Sequence, residues 1–399
     1  MYSAREIDYI PNSRARDAHT VTVDTASFTA KVADTVSAFH RSFGEYRRTP
    51  LISLKGLAST LGVASIWLKD ESVRFGLDAF KVLGASHAIG RLFAQDLRLD
   101  FHEASFEQLR SGDAKARLGK RTFVTATDGN HGRAVAWAAR AFGHRAVVYL
   151  PRGGAMARVT NIEAFGAEVH LTDSNYDEAV QLAAERARTE GWVLMQDTAW
   201  AGYEQIPLWV MQGYLTMFAE ALEQLGEEKP THVFIQAGVG SLAGALQAYL
   251  HQRYGAKRPI VAVVEPKNAA CFFASANAGD GEPRTIGGAL ATMMAGLAAG
   301  RPSSLAWSIL REYSDGFFAC ADEVTATGMQ RLARPVTGDT VVISGEAGAV
   351  TTGLICHLFE PAGQGLREQI SLGPGAKVLL FSTEGATDPE NYRRVVDQV

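Results

Sequence analysis

Short apolar runs alternate with amphipathic segments between residues 121 and 195 of this chain. The runs predict strands, and the intervening segments predict helices because their apolar residues recur at helical spacing. The predicted strands are Arg121–Ala126, Ala146–Leu150, Glu168–Thr172 and Trp192–Met195, and the predicted helices are His131–Phe142, Ala155–Phe165 and Tyr176–Thr189. This alternation predicts a parallel sheet with helices on its faces.

A second alternating series begins after residue 200, and residues 1–100 show a mixed pattern with one apolar run at Ala64–Leu68. The second series predicts helices at Gly202–Leu225, Ser241–Tyr254, Ser303–Glu312, Ala321–Ala333 and Ala347–Phe359, strands at Thr231–Gln236, Ile260–Val264 and Lys377–Phe381, and a loop at Asn277–Gly288. We therefore expect a two-lobed α/β protein in which each lobe is a mostly parallel sheet flanked by helices. Residues 1–104 and 193–399 are predicted to form a large domain, and residues 105–192 a small mobile domain.

Composition and charge exclude several classes of function. The chain has 399 residues, of which 47% are hydrophobic and 21% are charged, and its formal net charge is −4. No basic stripe is present, so we expect no nucleic-acid partner. The chain lacks an apolar run of about 18 residues and an apolar signal core at its start, so we expect no membrane partner and no secretion signal.

The three cysteines, Cys271, Cys320 and Cys356, lie far apart and form no CxxC pair. This spacing argues against a zinc site and a disulfide scaffold, and it fits a cytoplasmic protein. No metal site is predicted.

Ligands of such sheets bind beyond the carboxyl ends of the strands, so the loops that follow strands are the candidates for chemistry. Gln236–Gly244 links a predicted strand to a helix and contains Gly238 and Gly240. A glycine turn before a helix N-terminus can bind one phosphate. The GxGxxxG spacing differs from that of dinucleotide-binding loops, and a plain tight turn is the alternative.

Two further segments carry polar groups that could act in catalysis. Thr125–Gly132 also follows a strand, and its Thr127 and Asp128 could hold a carboxylate, although the local sequence alone favours Asp128 as a cap of the helix. Lys81 lies between Phe80 and Val82, where loss of solvation would lower its pKa and allow a Schiff base. The alternative for Lys81 is a surface lysine whose stem packs on apolar side chains.

Taken together, these segments resemble the β-family (fold type II) of pyridoxal-phosphate enzymes, which includes the threonine and serine dehydratases. The resemblance spans nearly the whole chain in order, through 69–81, 125–132, 196–203, 236–244, 344–350 and 381–385. The strings Asp-Gly-Asn-His-Gly and Gln-Asp-Thr-Ala-Trp are typical of the branch that acts on 2,3-diaminopropionate, and dehydratases carry a serine where Asp128 stands. The resemblance implies pyridoxal 5'-phosphate as cofactor, a small amino acid as substrate and a homodimer.

The resemblance also implies a role for each matching residue. Lys81 forms the Schiff base, Asn130 contacts the ring hydroxyl, and Ser382 or Thr383 lies at the pyridine nitrogen. The phosphate contacts are Gly238, Val239, Gly240, Ser241 and Leu242. The substrate contacts are Thr127, Asp128, His131 and Asp197.

The expected reaction is elimination of ammonia from 2,3-diaminopropionate to give pyruvate and a second ammonia. A β-amine leaves well only when protonated, and a nearby carboxylate raises its pKa, which is a function for Asp128 and Asp197. We expect Asp128 to remove the α-proton from the D-isomer, and Asp197 or Lys81 to remove it from the L-isomer. A serine or threonine dehydratase and a β-replacement synthase are the alternatives.

Overall fold

The computed structural model describes residues 2–4, 6–16, 23–127, 129–151 and 156–398. These residues form twelve strands: β1 (Tyr2–Ala4), β2 (Ile7–Pro11), β3 (Leu51–Ser53), β4 (Ser65–Asp70), β5 (Thr122–Ala126), β6 (Arg145–Pro151), β7 (Glu168–Thr172), β8 (Val193–Leu194), β9 (His232–Gln236), β10 (Ile260–Pro266), β11 (Gly316–Cys320) and β12 (Lys377–Ser382). Eight of them form one sheet in the order β1-β2-β11-β10-β9-β12-β4-β3, and four form a second sheet in the order β7-β6-β5-β8.

The same residues form seventeen α-helices: α1 (Ala30–Arg41), α2 (Lys55–Leu61), α3 (Lys81–Leu97), α4 (Phe106–Leu109), α5 (Gly112–Leu118), α6 (Asn130–Phe142), α7 (Met156–Glu163), α8 (Tyr176–Glu190), α9 (Gln205–Gly213), α10 (Leu215–Leu225), α11 (Ser241–Tyr254), α12 (Cys271–Ala278), α13 (Ser304–Tyr313), α14 (Asp322–Ala333), α15 (Glu346–Leu358), α16 (Gln364–Gln369) and α17 (Pro389–Val396). Within the described ranges, no helix is long and apolar enough to cross a bilayer.

The four-stranded sheet is parallel throughout, and the central strands of the larger sheet are also parallel. Antiparallel pairing is confined to the two edges of the larger sheet, where β1 and β2 lie on one side and β3 on the other. Helices α6 and α9 both pack on α3, and one cluster of buried apolar side chains includes residues of both sheets. The predicted α/β class is confirmed.

Several elements differ from the sequence prediction. The segment Gly202–Leu225 was expected to form one helix, and this is wrong because α9 and α10 are separate. Gly213 is the last residue of α9. A Cβ atom added to it would lie 2.3 Å from the Leu83 carbonyl oxygen, so α9 and α3 approach closely. The next residue, Tyr214, donates its N–H to the Met211 carbonyl, three residues back, and α10 begins after it at Leu215. Strands β1, β2, β3 and β11 and helices α12, α16 and α17 were not predicted.

The strand Val193–Leu194 pairs with β5 in the smaller sheet. Strands β1 to β4 all join the larger sheet, so the N-terminal part of the chain packs there. The boundaries between a large and a small domain stay a prediction.

A network of buried charges anchors the segment that leads to Lys81. Lys69 and Arg74 supply two cations, and Glu71 and Glu220 supply two anions, all buried. Lys69 Nζ lies 2.7 Å from Glu220 Oε2, and Arg74 contacts both carboxylates at 2.7 Å. Since the charges balance and each carboxylate receives hydrogen bonds, the network can be buried without an unpaired ion.

Candidate active site

A cleft lies where the carboxyl ends of β5, β9 and β12 meet the N-termini of α3, α6 and α11. It is lined by Phe80, Lys81, Thr127, Asn130, His131, Tyr176, Asp197, Gln236, Ala237, Gly238, Val239, Gly240, Ser241, Leu242, Gly296, Leu297, Ala298, Ala299, Ala347, Thr383 and Glu384. Residues far apart in the sequence therefore share one cleft, as expected for the end of a parallel sheet.

Lys81 is the first residue of α3, and its ammonium group forms an ion pair with the carboxylate of Asp197. The Lys81 side chain is 18% exposed and that of Asp197 only 3%, so the lysine faces the cleft and the aspartate lies beneath it. Burial opposes ionisation of Asp197, but His131 and Lys81 lower the pKa of this carboxyl to about 2. Asp197 is thus ionised at neutral pH, and its charge is directed at the amine that lines the cleft.

His131 lies in the first turn of α6, with its ring buried against Asp197. Nε2 donates to the Met195 carbonyl at 2.8 Å, and Nδ1 lies 3.7 Å from Asp197 Oδ2. Burial lowers the pKa of His131, so the ring is neutral near pH 7 and Lys81 is the cation that pairs with Asp197. In the described part of the protein, Nδ1 finds no hydrogen-bond partner, so its lone pair is unused.

The glycine turn between β9 and α11 leads directly into a helix N-terminus. Gly240 has φ +90°, a conformation that favours glycine, and a Cβ atom there would lie 2.2 Å from Phe272 Cζ. Gly238 approaches the backbone of Leu297, where a Cβ atom would lie 3.1 Å from Cα. The free N–H groups of the first turn of α11 can therefore meet an anion closely, which fits a phosphate group.

The two neighbouring hydroxyl side chains at the end of β12 differ in where they lie. Thr383 lines the cleft, and its hydroxyl accepts a hydrogen bond from Gln236 Nε2 at 2.9 Å. Ser382 is fully buried outside the lining, and its hydroxyl donates to Ser344 Oγ at 2.8 Å. Of the two candidates for the pyridine nitrogen, Thr383 is the one that faces the cleft.

The cleft brings together most of the residues predicted from the sequence, namely Lys81, Thr127, Asn130, His131, Asp197, Gly238, Val239, Gly240, Ser241, Leu242 and Thr383. Asp128, predicted as catalytic and substrate-binding, lies outside the described residues. Glu346 is buried outside the lining of the cleft, and its carboxyl accepts a hydrogen bond from Asn391 Nδ2.

Sequence reasoning missed Tyr176 and Glu384, which also line the cleft. The Tyr176 hydroxyl donates to Asp197 Oδ1 at 3.4 Å and accepts from Gln196 Nε2 at 3.0 Å. Its position as the first residue of a helix that follows a strand was a usable signal. Glu384 stands two residues after β12, and its carboxyl accepts hydrogen bonds from Asn130 Nδ2 and from Ala347 N, the latter at 2.9 Å.

Comparison with known proteins places this site in a wider group. A family model described as pyridoxal-phosphate dependent enzyme matches residues 43–380. A protein of Salmonella typhimurium named diaminopropionate ammonia-lyase is 47% identical over 370 residues, which cover 92% of either chain.

Two crystal structures of diaminopropionate ammonia lyase from Escherichia coli have the same fold. The structure in complex with D-serine aligns with a TM-score of 0.90 at 43% identity and covers 98% of this chain and 97% of the other. The structure in complex with an aminoacrylate-PLP azomethine reaction intermediate aligns with a TM-score of 0.89 at 43% identity, over 99% and 97% of the two chains.

Proposed function

We propose that this chain, which belongs to the diaminopropionate ammonia-lyase family of pyridoxal-phosphate-dependent enzymes, eliminates ammonia from 2,3-diaminopropionate and forms pyruvate and two ammonia molecules. The observation that carries the proposal is that the Lys81 amine and the glycine turn before α11 line one cleft, so a single cofactor can bridge them. Asp197 lies in the same cleft and supplies the charge that this substrate requires.

The residues of the cleft fit pyridoxal phosphate. Gly240 has the positive φ that the turn before α11 requires, and Phe272 leaves no room for a side chain there, while Lys81 supplies the amine for a Schiff base. When bound, the cofactor withdraws electrons from the α-carbon of an amino acid and so supports elimination. Asn130 and Thr383 are proposed to hold the ring at its two polar positions.

Asp197 favours a diamino acid over a hydroxy amino acid. An amine leaves as ammonia only after it has been protonated, and an ionised carboxylate nearby raises the pKa of an ammonium group. Because Asp197 stays ionised to about pH 2, it can hold the β-ammonium of the substrate throughout the neutral range. The unpartnered Nδ1 of His131 can accept a second N–H from the same group.

We propose two routes for removal of the α-proton. Asp128 takes the proton from the D-isomer, and Lys81 or Asp197 takes it from the L-isomer, since a base must lie on the face that carries the proton. Lys81 lines the cleft, which supports its part in this scheme. Replacing Asp128 by Asn should then impair turnover of the D-isomer far more than that of the L-isomer, and equal losses would count against a base specific to one face.

The test of the function is pyruvate release from D- and L-2,3-diaminopropionate and from L-serine. We expect faster turnover of diaminopropionate, and faster turnover of serine would favour a dehydratase. Lys81→Ala should abolish turnover and the visible absorption of the bound cofactor. Lys55→Ala is the matched control, because Lys55 is exposed on α2 and outside the cleft, and it should leave both unchanged.

A second reaction, β-replacement, uses the same early chemistry and is tested by adding sulfide or cysteine. Formation of cysteine from sulfide, or of a thioether from cysteine, would replace our proposal, and unchanged pyruvate release would support it.

The cellular setting is also proposed. We infer a cytoplasmic homodimer with a small mobile domain at residues 105–192. The three cysteines are free, buried thiols, which supports a reducing compartment. The dimer follows from the family resemblance alone, and light scattering coupled to size exclusion tests it.

A further inference from the structure

Glu384 holds two hydrogen-bond donors of the cleft at once. Its Oε1 accepts the backbone N–H of Ala347, at the start of α15, at 2.9 Å. Its Oε2 accepts from the side-chain nitrogen of Asn130, the first residue of α6. The side chain is 4% exposed and lines the cleft, so a buried acid connects the N-termini of two helices next to the proposed ring site.

The two oxygens differ in what they can offer. A backbone N–H can only donate, so Ala347 always requires an acceptor at Oε1. An ionised carboxylate can only accept, and it therefore turns the NH₂ end of the Asn130 amide toward Oε2. A protonated carboxyl carries its hydrogen on Oε2 and donates, so it turns the Asn130 oxygen toward itself instead.

We propose that Glu384 is a positioning residue for Asn130, which fixes the end of the Asn130 side-chain amide that faces the bound cofactor. The inference rests on the proposed function in one respect, that the cofactor ring occupies this cleft beside Asn130. The ring hydroxyl then meets a different hydrogen-bonding group in each protonation state of Glu384. An N–H donor favours the ionised hydroxyl and an oxygen acceptor favours the neutral one, so the absorption spectrum reports the orientation.

The charged groups around Glu384 set the range in which the change occurs. Burial raises the pKa of Glu384, and Glu346 in the first turn of α15 raises it further. The Ala347 N–H, Arg158 on α7 and the Asn130 amide oppose this rise, and the resulting pKa is about 7. The amide therefore changes its orientation near neutral pH.

Glu384→Gln is the decisive variant. Its amide oxygen must take the Ala347 N–H, so its NH₂ group faces Asn130 and requires the Asn130 oxygen at every pH. We expect the wild-type holoenzyme, without substrate, to show a spectral transition with a midpoint near pH 7. The variant should lose the transition and keep the low-pH spectrum of the wild type throughout.

Two control variants separate positioning from general damage. Glu346→Gln removes a neighbouring negative charge, so the transition should persist and its midpoint should move to lower pH. In an Asn130→Ala background, adding Glu384→Gln should change the spectrum no further. Cofactor affinity is measured for each variant by fluorescence titration.

Several outcomes would overturn the inference: a wild-type spectrum that does not change near pH 7, a Glu384→Gln titration like that of the wild type, or an unmoved midpoint in Glu346→Gln. The last result decides the matter even if Glu384→Gln does not fold. All spectra are taken without substrate, so inactivity toward diaminopropionate would refute the proposed function and leave this inference standing. Failure of the spectral prediction would leave the proposed function unchanged.

Discussion

In the proposed phosphate turn, Gly240→Ala is the substitution whose effect can be estimated most directly from the structure. Gly240 has φ +90°, and a Cβ atom added to it would lie 2.2 Å from Phe272 Cζ. Gly240→Ala should therefore have two unfavourable effects. The first is backbone strain, because L-residues that carry a side chain rarely adopt this backbone conformation. The second is overlap with a buried aromatic ring that also packs near Trp307.

The expected magnitude is the sum of the two effects. The backbone conformation costs about 1–2 kcal/mol in a residue with a Cβ atom, and overpacking in a buried site typically costs about 1–3 kcal/mol. The variant should therefore lose roughly 2–5 kcal/mol, divided between stability and cofactor binding. A turn that relaxes in the free protein must be forced back when phosphate binds. In that case the affinity falls by at least about 30-fold, since about 1.4 kcal/mol corresponds to a factor of ten.

The assay combines urea unfolding of the cofactor-free protein with equilibrium titration of pyridoxal phosphate. Gly255→Ala is the matched control, because Gly255 ends the same helix with φ +53° and an added Cβ atom would meet nothing within 4 Å. The control should lose some stability from strain and bind the cofactor as the wild type does. Wild-type affinity and stability in Gly240→Ala would refute the assignment of this turn as the phosphate cradle.

Three other substitutions test the charges inside the protein. Arg74→Ala leaves the buried carboxylates of Glu71 and Glu220 without their shared cation, so unfolding in urea should show a loss of about 3–5 kcal/mol, and a loss below about 1 kcal/mol would contradict the network. Burial raises the pKa of Glu265 to about 8, so the wild type should lose stability as the pH rises from the ordinary range of glutamate to about 8. Glu265→Gln should lack this slope in thermal unfolding, and a retained slope would point to another group. The carboxyl of Asp197 has its pKa lowered to about 2, so its ionic contribution to stability is present above the unfolded pKa and disappears as the pH falls toward 2. In acid unfolding, Asp197→Asn should not show this part of the loss of stability. A variant that loses stability in acid as the wild type does would contradict the ion pair.

The spacing of apolar residues was sufficient to predict those helices and strands that are determined by their own residues. The helix Ser241–Tyr254 and the strand Glu168–Thr172 have the bounds that the pattern predicts. The glycine turn was readable because both of its features, the glycines and the following helix, are local. Lys81 became identifiable only through the ordered set of segments that resemble a family, since one lysine in an apolar stretch has a common structural explanation.

Tertiary contacts explain what the pattern missed. The division between α9 and α10 lies at Gly213, which packs closely on Leu83, 130 positions away in the chain. Glu384 is an acid in a polar loop by sequence, and only the meeting of α6, α15 and the end of β12 buries it against Asn130. No spacing rule connects residues that become neighbours in this way.

The placement of Lys81 depends on the same strand that supplies the far side of the cleft. Phe80 N donates to the Thr383 carbonyl at 3.1 Å, and Glu71 N donates to that of Ser382 at 2.8 Å, so both ends of the segment before Lys81 are tied to the end of β12. Between these ties, Phe75 and Asp78 adopt positive φ values of 53° and 51°, which cost about 1–3 kcal/mol each and persist only when the surroundings fix them. The buried charges at Arg74 and the bonds to β12 provide that constraint. The amine and the ring site are therefore positioned by one structural unit, and weakening the buried network should displace Lys81 relative to the cofactor as well as lower stability.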